Sequence, residues 1–239
     1  MNEHEQVIGI IRAKNASPIH LEPKRTALVV VDMQRYFTQP GFPFTEVFNT
    51  LSPGAAAGYL RRVREIVIPN LQHLLTCFRE LGSPVVFTAV GTEAGEGRDL
   101  PGWLRALDEL GLATLGSRIW PPVTDPSWEI DEALAPQPGE LVLNKLSAGT
   151  FATTGLEQRL RHQGIESVVV TGVSSDVCVT TTAREAADRG FTTIMVSDGC
   201  TTFSEQMHQA SLETFNIALG WVRTAQEVVE LLRGLRSAA

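Results

Sequence analysis

Short apolar runs alternate with amphipathic stretches along most of the 239-residue chain. Runs of four to seven residues, rich in β-branched side chains and followed by turn residues, predict buried strands at residues 27–31, 84–90, 140–143, 167–171 and 192–197. Longer stretches with an apolar stripe at helical spacing predict helices at residues 59–81, 156–162, 177–189, 202–219 and 224–235. Strands separated by helices are typical of β-α-β units. The pattern therefore predicts an α/β fold with a mainly parallel sheet covered by helices on both faces.

Residues 91–128 break this alternation. They are rich in Gly, Pro and Trp and contain one predicted helix, near residues 104–110. The segment is longer than a plain connection between two elements, which indicates either a lid or a contact between subunits. Because no linker divides the chain, we expect one domain over residues 26–239, preceded by an N-terminal arm over residues 1–25.

The composition and charge of the chain restrict its partners and its location. Hydrophobic residues make up 43% and charged residues 20%, which is ordinary for a globular protein with a large core. The net charge of -7 disfavours nucleic acid and anionic membrane surfaces as partners. No apolar stretch approaches the roughly 18 residues of a membrane span, and the N-terminus lacks the pattern of a secretory signal. We therefore expect a cytoplasmic protein.

The cysteines and histidines form no pattern that predicts a metal site or a disulfide framework. The three cysteines, Cys77, Cys178 and Cys200, contain no C-x-x-C pair. The five histidines show no H-x-H or H-x-x-x-H spacing. We expect Cys77 and Cys200 to be small buried apolar side chains. The sequence therefore predicts neither a metal nor another cofactor.

Three reactive side chains follow predicted strands. Asp32 comes directly after residues 27–31, and Lys145 comes shortly after residues 140–143. Cys178 is separated from the next strand by a short turn and begins a predicted helix. Ligands of open parallel sheets bind beyond the carboxyl ends of the strands. If the strands are neighbours, an acid, a base and a thiol therefore converge at one edge of the sheet, although each alone has an ordinary structural explanation.

The combination of these three groups suits covalent hydrolysis. A thiol is a good nucleophile only as the thiolate, and both a helix N-terminus and a nearby ammonium lower its pKa. We therefore expect a lowered pKa for Cys178. A carboxylate such as Asp32 can take the thiol proton and later pass it to a leaving amine, while Lys145 stabilises the anions. Backbone N–H groups of the turn GVSSDVC can hold the oxyanion of a tetrahedral intermediate.

Three segments of the chain resemble the signature segments of the isochorismatase-like cysteine hydrolases: ALVVVDMQRYF, LNKLSAGTF and VVVTGVSSDVCVTTTAREAADRGF. The likeness extends from about Thr26 to Leu235. The resemblance implies a three-layer α/β/α, Rossmann-like fold around a six-stranded parallel sheet. It also implies that the chain forms a homodimer or a homotetramer.

The same resemblance assigns roles to individual residues. It implies a catalytic triad of Asp32, Lys145 and Cys178. It further implies a cis peptide bond between Val173 and Ser174, which aims the N–H of Ser174, together with that of Cys178, at the oxyanion.

Two branches of this family fit the sequence less well. Nicotinamidases carry a D-x-H segment for a metal after the second strand, whereas this chain has TAVGTEAGEG there. True isochorismatases cleave a vinyl ether and often lack the cysteine, so the presence of Cys178 favours C–N hydrolysis. The segments APQPGELVLNK, RHQGIESVVVTGV and ALGWV resemble those of ureidoacrylate and other ureido or carbamoyl amidases.

These observations predict a cysteine-dependent amidohydrolase that cleaves a small linear amide, ureido or carbamoyl compound through a thioester. Phe37, Trp120 and Phe151 are the expected walls of its substrate pocket, because they lie near strand ends or in residues 91–128. Two alternatives remain from the sequence alone. One is a vinyl ether hydrolase of isochorismatase type, and the other is a non-enzymatic binding protein with the same fold.

Overall fold

Six strands form one all-parallel sheet in the computed structural model, which describes residues 3–234. The strands are β1 (Thr26–Val31), β2 (Val85–Val90), β3 (Leu141–Lys145), β4 (Ser167–Val173), β5 (Thr192–Thr201) and β6 (Trp221–Arg223). Their order across the sheet is β3-β2-β1-β4-β5-β6, and every adjacent pair is parallel. The strand order reverses between β1 and β4, and such a switch point is where open α/β sheets bind their ligands.

Ten α-helices within the described residues cover the two faces of the sheet. They are α1 (Glu3–Asn15), α2 (Arg35–Thr38), α3 (Pro43–Leu51), α4 (Ala55–Arg62), α5 (Ile68–Leu81), α6 (Gly102–Leu115), α7 (Leu156–His162), α8 (Thr180–Asp188), α9 (Glu205–Ala218) and α10 (Ala225–Leu232). Side chains of a strand point alternately to opposite faces. In β1, Leu28 and Val30 accordingly join one apolar cluster, and Val29 and Val31 join the other. The predicted three-layer α/β/α fold is confirmed.

The boundaries of several elements differ from those predicted. Strand β6 was not predicted, because its three half-buried residues give too short a pattern. Helix α6 is longer at both ends than residues 104–110. The end of the last predicted helix at residue 235 lies outside the described residues.

The predicted helix over residues 59–81 consists of α4 and α5 joined by a π-helical turn at Val63–Val67. Pro69 lies in the first turn of α5, directly after the π turn. The wider π turn changes the angular register of the side chains. Regular helical spacing over residues 59–81 predicts Ile66 on the apolar stripe, but in the structure Ile66 is 39% exposed.

Residues 91–128 fold back on themselves around the buried carboxylate of Asp108 in α6. Asp108 Oδ1 accepts hydrogen bonds from the backbone N–H of Ile119 at 2.8 Å and of Trp120 at 3.1 Å. The indole Nε1 of Trp120 donates to the carbonyl oxygen of Leu104 at 2.8 Å. These bonds connect the end of the segment to α6, which packs on α3.

The described part of the N-terminal arm packs on the far edge of the sheet through α1. Asn15 Nδ2 donates to Asn216 Oδ1 of α9 at 3.0 Å, and Lys14 lies over the ring of Trp221 in β6. None of the helices in residues 3–234 is both long enough and apolar enough to cross a bilayer.

Candidate active site

Asp32 directly follows the central strand β1, and its carboxylate lies at the carboxyl edge of the sheet. Its φ of +52° lies in the left-handed region, which Asp and Asn tolerate better than most side chains. The neighbouring strand β2 fixes the residue twice. The N–H of Asp32 donates to the carbonyl oxygen of Thr88 at 3.1 Å, and Thr88 Oγ1 donates to Asp32 Oδ1 at 2.7 Å. The carboxylate therefore has one oxygen held by Thr88 and the other free to meet a cation.

Lys145 supplies that cation from the edge strand β3. Its Nζ lies 2.9 Å from Asp32 Oδ2, and both side chains are fully buried. Lys145 Nζ also donates to the carbonyl oxygen of Ser147 at 2.8 Å. Strands β1 and β3 are not neighbours, since β2 lies between them. The long side chain of Lys145 spans this gap, so the convergence expected for adjacent strands occurs here across β2.

The charge of Lys145 is retained in spite of its burial. Burial acts to lower the pKa of the ammonium, but the negative charge of Asp32 and the interaction with Cys178 outweigh it and raise the pKa above its ordinary value. A buried ion pair is stable only when hydrogen bonds satisfy both partners, as Thr88 and the Ser147 carbonyl do here. The pair is therefore a fixed buried dipole next to the sulfur.

Cys178 reaches the same point from β4, the other central strand. The peptide bond between Val173 and Ser174 is cis, and Ser175–Val179 form a π-helical turn. The carbonyl oxygen of Ser174 accepts from the N–H groups of Val177 and Val179, on either side of Cys178. The sulfur interacts with the side chains of both Asp32 and Lys145. The three predicted reactive residues therefore meet, although they come from three different strands.

The pKa of the Cys178 thiol differs from the expectation. Burial raises its pKa to about 12, and Asp32 raises it as well, while Lys145 only partly offsets them. The predicted lowering of the pKa is therefore wrong for the substrate-free protein. The sequence shows a helix start and a lysine, but not the desolvation or the adjacent carboxylate that outweigh them. The resting site holds a neutral thiol beside an ionised pair.

We expect the rate of alkylation of Cys178 by iodoacetamide to rise about tenfold per pH unit up to about pH 9.5, because only the thiolate reacts. Partial burial of the sulfur lowers the absolute rate but not the shape of this profile. Peptide mapping with Cys178→Ala as a blank assigns the label. The unfolded protein serves as a reference, with a plateau above the ordinary thiol pKa of about 8.5. A plateau below about pH 8 in the folded protein would contradict the raised pKa.

A cavity of about 280 Å³ opens above the sulfur. Cys178, Lys145 and Ser174 lie on its floor, and its walls are mainly apolar. The wall residues are Phe37, Phe44, Phe48, Val90, Trp103, Leu104, Leu107, Trp120, Val177, Phe203 and Met207. Phe37 and Trp120 are thus where the sequence placed them, with ring centroids 6.1 Å apart.

Phe151 does not line this cavity, contrary to the prediction. It lies in the apolar cluster on the opposite face of the sheet, with its ring 6.0 Å from that of Phe191. The turn after Lys145 carries the chain to that face, where Glu185 of α8 accepts from the N–H of Phe151 at 2.9 Å. A position near a strand end was therefore an insufficient guide to which face the ring would join.

Several residues at the site were missed by the sequence analysis. Thr88 is in a predicted strand, but nothing in the pattern marks its hydroxyl as a partner of Asp32. His208 is buried on α9, with Nδ1 3.0 Å from the hydroxyl of Ser175 in the π-helical turn that contains Cys178. Burial lowers the pKa of His208. The apolar walls from α3 and α6 were also missed, because these helices were not predicted or were predicted too short.

No metal site is evident in the described chain. Within residues 3–234, no three His, Cys, Asp or Glu side chains are grouped so that they could hold a metal ion. The three cysteines are all free and buried. The polar groups on the cavity floor are instead arranged around one sulfur atom.

The sequence and the fold are similar to those of known hydrolases. A ureidoacrylate amidohydrolase from Methylobacterium radiotolerans is 28% identical over 234 residues, covering 90% of this chain and 82% of the relative. A maleamate amidohydrolase from Pseudomonas putida is 29% identical over 212 residues, with 89% of each chain covered. The crystal structure of a cysteine hydrolase from Pseudomonas syringae pv. phaseolicola 1448A matches with a TM-score of 0.73 at 26% identity, over 92% of this chain and 97% of that chain.

A family model, the isochorismatase domain, matches residues 26–227. The matched region contains the whole sheet and all three reactive side chains, Asp32, Lys145 and Cys178. The resemblance seen in the three sequence segments is thereby confirmed. The chain belongs to the isochorismatase family and is one of its hydrolases.

Proposed function

We propose that this protein is a cysteine-dependent amidohydrolase that cleaves the C–N bond of a small linear amide, ureido or carbamoyl compound. The observation that carries the proposal is that the Cys178 sulfur interacts with the buried Asp32–Lys145 pair at the base of a mainly apolar cavity. The relatives named ureidoacrylate amidohydrolase and maleamate amidohydrolase support the same reaction class.

The proposed reaction begins when Sγ of Cys178 attacks the amide carbonyl and Asp32 takes the thiol proton. Because the thiol is neutral at rest, proton transfer and attack occur together rather than from a preformed thiolate. The N–H groups of Ser174 and Cys178 donate to the oxyanion. Asp32 then gives the proton to the leaving nitrogen, the C–N bond breaks, and an acyl thioester remains on Cys178.

Water completes the proposed cycle. Asp32, again ionised, removes a proton from a water molecule that attacks the thioester carbonyl. The C–S bond breaks and the sulfur recovers the proton from Asp32, which releases the carboxylic acid. Lys145 remains protonated throughout, so its charge stabilises Asp32 whenever the carboxylate is ionised. The scheme needs no cofactor, because one carboxylate handles every proton.

The two alternatives are less well supported by the same geometry. A vinyl ether hydrolase needs an acid that protonates carbon. That reaction does not require a sulfur beside the acid, so the position of Cys178 would have no explanation. A binding protein has no need for a buried ion pair. Desolvation of the two charges costs free energy, and such a pair often stabilises the fold no more than apolar residues of similar volume would.

We further propose that residues 91–128 act as a lid of the single domain over residues 26–239. Helix α6 supports this role, since it supplies Trp103, Leu104 and Leu107 to the cavity wall. A cytoplasmic homodimer or homotetramer remains our proposal for the assembled protein.

The reaction class can be tested by ammonia release together with mass spectrometry of the intact protein. On mixing with a panel of ureido, carbamoyl and simple amides, we expect turnover of at least one compound. Rapid acid quenching should then trap a mass increase equal to the acyl group, located on the peptide containing Cys178. Ammonia release without any acyl adduct, and with the same rate in Cys178→Ala, would contradict a thioester mechanism.

A further inference from the structure

We propose that the cavity selects amides whose acyl portion is apolar and carries no carboxylate, with a single aromatic ring or a short branched chain as the preferred group. This inference rests on the proposed amidohydrolase function and narrows its substrate class. It comes from the apolar character of the cavity walls and from the positions of the charged side chains that line the cavity.

The walls of the cavity form a nearly continuous aromatic surface. The ring of Phe203 lies 4.2 Å from that of Phe48 and 5.6 Å from that of Phe44, measured between centroids. Phe44 in turn lies 4.5 Å from Phe37 and 6.2 Å from Trp120. Aromatic walls can contact the ring of a bound substrate in the same tilted and edge-on orientations. Burial of the apolar surface of the substrate supplies the binding free energy.

The cavity has no free cation for a substrate carboxylate. Its only charged lining residues, among those described, are Lys145 and Asp176. Lys145 is already held by Asp32 and by the carbonyl oxygen of Ser147. A carboxylate drawn into this space would lose its hydration without gaining a partner, which is strongly unfavourable.

Asp176 adds a second barrier to anions. It lies in the nucleophile turn, two residues before Cys178, and lines the cavity. Its Oδ1 is buried and has no hydrogen-bond partner among the described residues. The carboxylate therefore repels an anionic acyl group.

The size of the cavity limits the acyl group. A volume of about 280 Å³ lies just below the range of about 300–1,000 Å³ that is usual for ligand pockets. The rim side chains Trp103, Val177 and Met207 are partly exposed, so the opening is itself apolar. A monocyclic aryl amide fits these limits.

The test compares two primary amides that share one skeleton. Cinnamamide and fumaramate are both trans-2-enamides, and a phenyl group in the first stands where the second has a carboxylate. We expect kcat/KM for ammonia release to be at least about 100-fold higher for cinnamamide. In Asp176→Asn, the ratio of the two kcat/KM values should fall by about tenfold, because the repulsion of the anion is removed. The exposed Asp188 on α8 offers a matched control, and Asp188→Asn should leave the ratio unchanged.

Binding is measured separately in Cys178→Ala by the quenching of tryptophan fluorescence, since Trp103 and Trp120 line the cavity. Preferential turnover of cinnamamide supports the inference. Equal or faster turnover of fumaramate overturns it and leaves the amidohydrolase proposal standing. Binding of cinnamamide without turnover of either amide supports the apolar site, and the amide panel described above then decides the amidohydrolase proposal. Failure to bind or hydrolyse either compound overturns the inference, whereas the amidohydrolase proposal is decided by that panel.

Discussion

Replacing Cys178 with alanine is expected to reduce amide hydrolysis by at least about 10⁴-fold, because the attacking atom is lost and the remaining groups provide only electrostatic and acid–base assistance. The Asp32–Lys145 pair and the hydrogen bond from Thr88 do not involve the sulfur, so the fold should survive. The free energy of unfolding should change by about 1 kcal/mol, as for a small core substitution. Steady-state ammonia release and denaturant unfolding measure the two quantities.

Cys77 provides the matched control. It is a buried cysteine on α5, away from the cavity. Cys77→Ala is therefore the same chemical change, the loss of one buried thiol, in a different part of the core. This variant should keep its kcat/KM within a few-fold of the parent. If Cys178→Ala kept the parent rate of ammonia release while Asp32→Asn lost it, the sulfur would not be the nucleophile, and the thioester mechanism would be wrong.

Replacing Asp32 with asparagine is expected to change activity and thiol reactivity in opposite directions. Hydrolysis should fall by about 10²- to 10⁴-fold, which is the usual contribution of a general acid–base group. Alkylation of Cys178 at pH 8 should become at least about tenfold faster, because one unit of pKa changes the thiolate fraction tenfold. The charge of Asp32 and its interaction with the thiol raise the pKa of Cys178, so the loss of both lowers it.

The physical reason lies in the buried ammonium of Lys145. With Asp32 neutralised, Lys145 has no anionic partner at 2.9 Å, and a buried cation without a counter-ion is unfavourable. The thiolate of Cys178 then becomes its counter-ion. Asparagine is similar in shape to aspartate and tolerates the left-handed φ of +52°, so the fold is retained.

The control for this experiment is another buried aspartate. Asp131 accepts from Thr38 Oγ1 at 2.6 Å and does not line the cavity. Asp131→Asn should lower stability without changing the alkylation rate of Cys178. A decrease in the alkylation rate of Asp32→Asn would mean that Lys145 loses its proton instead, and that Asp32 does not restrain the thiol.

The turn that contains Cys178 has a support that neither substitution disturbs. The hydroxyl of Ser175 lies 3.0 Å from Nδ1 of the buried His208, which joins the start of the turn to α9. Since the lowered pKa of His208 favours its neutral form, the contact is a hydrogen bond between neutral groups. The turn therefore has a fixed position relative to β4 and α9 before any substrate binds.

The sequence by itself determined the fold class and predicted which three side chains meet at one edge of the sheet. Period-two and period-3.6 patterns are local, so they predicted five of the strands and most of the helices from the residues that form them. Parallel strands present their carboxyl ends at one edge, and this was sufficient to select Asp32, Lys145 and Cys178. Lys145 departs from the expectation of adjacent strands, because it reaches Asp32 only across β2.

The tertiary structure alone decided the electrostatics and the cavity. The pKa of Cys178 depends on how much water the fold removes and on which charges it brings close, and both are properties of distant segments. Phe151 and Phe37 have similar sequence positions after strands, yet packing sent them to opposite faces of the sheet. Local sequence specifies what a segment becomes, whereas desolvation and side-chain contacts depend on what the rest of the chain places around that segment.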